Sequence, residues 1–402
     1  MEKKRLIIAL IFLLVCIGIG YLIYRVFFYK PPTPLGAPTG TSTQGQFPQT
    51  EEGANLPFST TSTLPTAENL PETNNGVTTQ PQRETEIVNT TLSGATKDST
   101  GGARFYNQLD GKFYRVDKNG NIVALDDQVF YSVQKVNWSP NKNEAILEYP
   151  DGNKIYYNFD TKQQATLPAH WENFSFTSQG EKIAAKSLGL STENRWLITS
   201  DPNGQNAVAI EPMGDNADAV NVDWSPNGQI IATSLTGEVL GDDRQEVLFV
   251  GQHHENFKST IVEGQGLVTQ WSPKGNQLLY SVFSERSDFK PELWIVTADP
   301  DHIGENRRLL GLNTWANKCN FSDERYVYCA APTTLDTGSG FAPGLADNTP
   351  DNIYKIDLQT GLQTQIPLNN NHTINNLFTG SDGKTLYFTD KNQSGLFSVP
   401  LK

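Results

Sequence analysis

Six times between residues 136 and 390 the chain repeats one unit: an aromatic residue, a short turn rich in Ser, Pro and Gly, then an apolar run. The copies read VNWSPNKNEAILEY at 136–149, FSFTSQGEKIAAKS at 174–187, VDWSPNGQIIATS at 222–234, TQWSPKGNQLLYSV at 269–282, CNFSDERYVYCAA at 319–331 and LFTGSDGKTLYFTD at 377–390. Their aromatic anchors are Trp138, Phe176, Trp224, Trp271, Phe321 and Phe378, spaced 38, 48, 47, 50 and 57 residues apart. That period belongs to the blades of a β-propeller rather than to helical repeats. Within a copy the aromatic ends one strand and can bury its ring between sheets. The proline presets φ for the turn, the glycine accepts positive φ, and the apolar run returns as the next strand. Further turn signals and two more strands follow, as in KIYYNFD and QATLP after the first copy. The chain is therefore expected to be all-β, with four-stranded blades.

WSPNG at 224–228 and WSPKG at 271–275 resemble the Trp-Ser-Pro-Asp-Gly signature of the TolB-like branch of WD-type propellers. The resemblance covers residues 104–402 and implies the fold; it carries no role in the Tol system, because this chain lacks the N-terminal domain of that protein. Six copies imply about six blades. The stretch 103–125, with Asp-Gly and Asn-Gly turns, itself reads as three strands, so six and seven both stand. The last copy lacks an outer strand, and N-terminal strands are expected to close the ring beside it, removing exposed edges.

Ahead of the repeats the composition changes twice. Residues 6–24 hold no charge and are long enough for a membrane-spanning helix. Lys3, Lys4 and Arg5 precede them, which places the N-terminus in the cytoplasm. A cleaved signal peptide is the rival reading, and Val15 spoils the lipoprotein-type pattern before Cys16. Residues 31–103 are mostly Pro, Thr, Ser, Gly, Asn and Gln and read as a disordered stalk. The expected domains are a tip and anchor at 1–30, a stalk at 31–103 and the propeller at 104–402, outside the cytoplasm.

Net charge is −13, and residues 1–30 are net positive by four, so the remainder is more acidic still. Such a surface repels phosphate backbones and excludes nucleic acid as a partner. The membrane, through residues 6–24, and an envelope protein or a glycan are the partners expected of a monomeric propeller, with no cofactor or metal.

Three patterns in the sequence bear on catalysis. Asp336-Thr337-Gly338-Ser339 matches one half of an aspartic-protease site, which needs two carboxylates, and reads as a turn. His253 and His254 lie near Asp242, Asp243 and Glu255, but adjacent residues of a strand point to opposite faces. No G-x-S-x-G elbow marks an appended peptidase domain, and no chain is left after the last copy for one. A non-catalytic binding scaffold is therefore the leading expectation, with a propeller lyase or hydrolase built from channel loops as the alternative. The long interruption at 331–350 is the expected partner loop, through Phe341, Pro343 and Leu345. Finally, Cys319 and Cys329 are equidistant from Glu324, about which their hairpin should fold, and are expected to form a cross-strand disulfide.

Overall fold

The computed structural model describes residues 84–401 apart from 242 and 256. The proposed membrane span at 6–24 and the stalk as far as residue 83 lie outside the described residues. Among the described residues no helix is long and apolar enough to cross a membrane.

Seven four-stranded antiparallel sheets make a seven-bladed propeller. Blades 1 to 6 span 92–124, 135–167, 171–212, 220–262, 265–309 and 319–366, each running from its innermost strand outward. Blade 7 combines Ile374–Thr379, Thr385–Asp390 and Leu396–Pro400 with Thr85–Val88, which pairs with Leu396–Pro400 as the outer strand. N-terminal chain thus closes the ring.

The boundary expected at 103/104 is corrected by this pairing. Thr85–Val88 and Leu92–Lys97, assigned to the stalk on their Thr, Ser and Gly content, are the closing strand and the innermost strand of blade 1. Neither has enough apolar residues to be recognised alone. Each is held by the ladder of a neighbour, Leu396–Pro400 and Ala103–Asn107 respectively.

Burial follows from blade geometry. The second strand of each blade is sandwiched between two neighbouring sheets, so Ile230–Ser234 is buried at every position and reads as a continuous run rather than an alternation. Outer strands splay apart toward solvent, and Ile122–Ala124 is exposed throughout. Seven apolar clusters lie at the seven junctions between blades. One, for example, joins Leu279, Leu293 and Ile295 of blade 5 to Phe321, Val327 and Ile356 of blade 6.

Cys319 and Cys329 are directly opposed across their hairpin and form a disulfide in that same cluster.

Candidate functional site

The turn after each innermost strand aligns all seven blades. In blades 1 to 7 respectively, the N–H of Asp98, Ser139, Thr177, Ser225, Ser272, Ser322 and Gly380 bonds the carbonyl of Gly102, Glu144, Lys182, Ile230, Gln277, Tyr326 and Thr385. The preceding residues are therefore equivalent: Lys97, Trp138, Phe176, Trp224, Trp271, Phe321 and Thr379. This register corrects one anchor. Phe378 falls one residue early, and because neighbours on a strand face opposite ways it packs into the junction of blades 7 and 1, stacked on Tyr387 with ring centres 5.6 Å apart. The true seventh-blade match is Thr-Gly-Ser-Asp-Gly at 379–383. Lys-Asp-Ser-Thr-Gly at 97–101 is a further copy that the aromatic criterion missed, because Lys97 stands where the others carry a ring.

The motif serine has a role that the sequence did not disclose. Ser225 Oγ accepts from the Ile230 N–H at 2.9 Å and donates to Asn227 Oδ1 at 2.6 Å, so it ties the turn from inside while Gly228 takes φ +80°. In blade 2 the glycine position is Lys142, and the turn is held from outside. The Arg104 guanidinium donates to the carbonyls of Ser139 and Lys142 and lies 4.4 Å over the Trp138 ring. Burial pulls the Arg104 pKa down to about 10, with Asp98 and Glu144 opposing the shift.

These turns surround one end of the central channel. There the innermost strands of blades 1 to 6 enclose a cavity of about 360 Å³ lined by Lys97, the five aromatic anchors, Gln270 and Asn320. Its walls are fixed by bonds between blades: Trp138 Nε1 to Gly94 O at 2.7 Å, Trp271 Nε1 to Asp223 O at 3.2 Å, and the Trp224 N–H to Ser175 Oγ at 2.9 Å. Asp223, next to Trp224, has its carboxyl raised to about 7 by burial, with no hydrogen bond to its oxygens among the described residues. It is the acid on which a catalytic reading of the channel would rest.

A second surface lies at the loop of blade 6. Phe341 packs against Phe283 and Phe289 of blade 5, with ring centres 4.5 and 5.0 Å away, yet remains 59% exposed, and Leu345 is 53% exposed. Pro343 begins the short 3-10 turn Pro343–Ala346 and is exposed as well. The loop is pinned by Gly338 N–H to Asp288 O at 3.0 Å and Gly340 N–H to Phe289 O at 2.7 Å. Asp288 and Phe289 are consecutive non-glycine residues with φ of +54° and +53°, a strained pair that these bonds retain. Gly340 has no alternative there, since a Cβ would fall 2.4 Å from the Phe283 ring.

The remaining sequence candidates do not assemble. Asp336–Ser339 is a turn, with Gly338 at φ +84° and the Ser339 N–H bonded to Asp336 O. His254 approaches Glu211 at 3.6 Å, whereas the His253 N–H bonds Glu255. Among the described residues no three metal-ligating side chains cluster, and Asp242 lies outside them.

No protein-family model matches the chain, and no curated protein matches it. Solved structures are similar in fold. An oligogalacturonate lyase in complex with manganese shares 13% identity, covers 80% of this chain and 98% of its own, and superposes with a TM-score of 0.51. The β-propeller domain of Cps50 (Swd1) from Myceliophteria thermophila gives 10%, 79%, 98% and 0.55. The tricorn protease gives 10% and 0.50, with 80% of this chain matching 34% of that one. At these identities the likeness is one of fold alone.

Proposed function

We propose that the chain is a membrane-tethered binding module: residues 6–24 anchor it, the stalk spaces it from the bilayer, and the propeller captures an envelope or surface protein outside the cytoplasm. The observation that carries the reading is the blade 6 loop, where Phe341 and Leu345 stay more than half exposed on a backbone bonded rigidly to blade 5. Apolar side chains presented by a preorganised loop lose little entropy on docking. WSPNG and WSPKG support membership of the TolB-like propellers, a fold used for binding. Photo-crosslinkers placed at Leu345 in cells should trap a partner, and Phe341→Ser should abolish the adduct while leaving the melting temperature within a few degrees. Crosslinking that persists in that variant would remove the loop from the reading. Protease added to intact cells should release the propeller; full protection would reverse the topology.

The enzyme alternative rests on Asp223, a carboxyl near neutrality next to the cavity-lining Trp224. Turnover of oligogalacturonate or other glycans, lost in Asp223→Asn, would replace the scaffold with that reading.

A further inference from the structure

The cavity at the turn end of the channel has polar groups that the fold does not use. Among the described residues Lys97 makes no hydrogen bond and no ion pair, although it lines the cavity. Its side chain reaches solvent, but the surrounding walls and nearby Arg104 hold its pKa below the ordinary lysine value. Arg104 differs in kind: both Nη atoms are taken up by backbone carbonyls, and Asp98 and Glu144 offset its charge. Lys97 is thus the uncompensated cation of a cavity whose lining contains no carboxylate, in a chain with net charge −13. Opposite in character, Gln270 Oε1 is a buried acceptor without a donor.

A ligand that satisfies both must carry an anion and a hydrogen-bond donor. The charge should be a carboxylate rather than a phosphate, because one ammonium faces it and both Nη atoms of the neighbouring guanidinium are already held by carbonyls, which leaves only its buried Nε. The indole N–H groups of Trp138, Trp224 and Trp271 all bond backbone carbonyls, so the rings offer only apolar surface. That combination of carboxylate, hydroxyl donors and an apolar C–H face is the chemistry of an acidic sugar. A peptide fits less well, since main-chain groups around the cavity already bond neighbouring blades, as the Trp224 and Thr379 N–H groups do to Ser175 and Asn320. A volume of about 360 Å³ is in the range of small-molecule sites. We propose that this cavity binds an acidic sugar, its carboxylate on Lys97 and a hydroxyl on Gln270.

The test titrates the full-length chain with glucuronate and with glucose, followed by ligand-observed NMR and by the fluorescence of the cavity tryptophans. Glucuronate should bind at least tenfold tighter than glucose. Lys97→Met should bring the two to parity, Gln270→Leu should weaken both several-fold, and Phe341→Ser should change neither, which separates this site from the partner loop. Three results would overturn the proposal: no glucuronate binding, equal affinity for the two sugars in the unaltered chain, or tighter Lys97-dependent binding of inorganic phosphate or N-acetyl-aspartate.

Discussion

Asp223 and the pair Lys318–Asp351 show how single residues set the pH response of this propeller. The Asp223 carboxyl is raised to about 7 by burial, whereas in the unfolded chain it titrates near 4. The folded state therefore binds the extra proton between those values. Its stabilising contribution is present in full below about pH 4 and is lost as pH rises through about 7. Asp223→Asn should accordingly raise the melting temperature at pH 7.5 and leave it nearly unchanged at pH 4. Asp223 is only partly buried by accessible surface, so solvent screens the carboxylate and a gain of about 1–3 kcal/mol is expected rather than the full conversion of the shift. An equal effect at both pH values would show that Asp223 is not the titrating group. Lys318 and Asp351 are buried and bonded at 2.7 and 2.8 Å, yet burial pushes the lysine down and the aspartate up. Desolvation outweighs pairing there. Lys318→Met alone should cost about 3–5 kcal/mol by leaving Asp351 unpaired, and adding Asp351→Asn should recover part of the loss. Denaturant unfolding of the two variants measures both.

At the scale of the element, the hairpin between Cys319 and Cys329 was legible because antiparallel pairing about Glu324 makes the two cysteines opposite neighbours. A loop with a sequence separation of 10 is short, so replacing both cysteines by serine should cost about 2–3 kcal/mol, read as a melting temperature lower by several degrees. Native alkylation without reduction should label neither sulfur; labelling of both would remove the bridge. The turn motif was legible in its proline and glycine but not in its serine, whose bond to the main-chain N–H five residues on depends on the closed turn. Phe378 was misplaced for a related reason. The aromatic recurs in most copies, but the turn hydrogen bond defines the unit, and that bond puts Thr379 in the shared position.

For the whole molecule, closure is the decisive contact. Thr85–Val88 completes blade 7, and just before it the Glu84 carboxylate accepts from the N–H groups of Asn369 and Asn370 at 2.7 and 2.8 Å. Glu84 also lies 3.7 Å from His372, which bonds Asp390 at 3.0 Å, so the closing strand is latched to the interior of blade 7. A fragment beginning at residue 91 should melt lower and self-associate through the freed edge of Leu396–Pro400. Light scattering and calorimetry test this, and an unchanged monomer would show that closure is dispensable. Residues 104–402, the propeller bounds expected from sequence, lack both the closing strand and the innermost strand of blade 1, and should not close.

Sequence alone determined the all-β class, the blade period, the turn chemistry and the disulfide, because each depends on residues close along the chain or repeated at a fixed interval. Only the tertiary structure decided that there are seven blades, that Lys97 occupies an aromatic position and that a carboxylate-free cavity forms beside it. Those features come from strands brought together around a ring: Leu92–Lys97 has too few apolar residues to announce itself, and it becomes a strand because it pairs with Ala103–Asn107 at the innermost edge of blade 1.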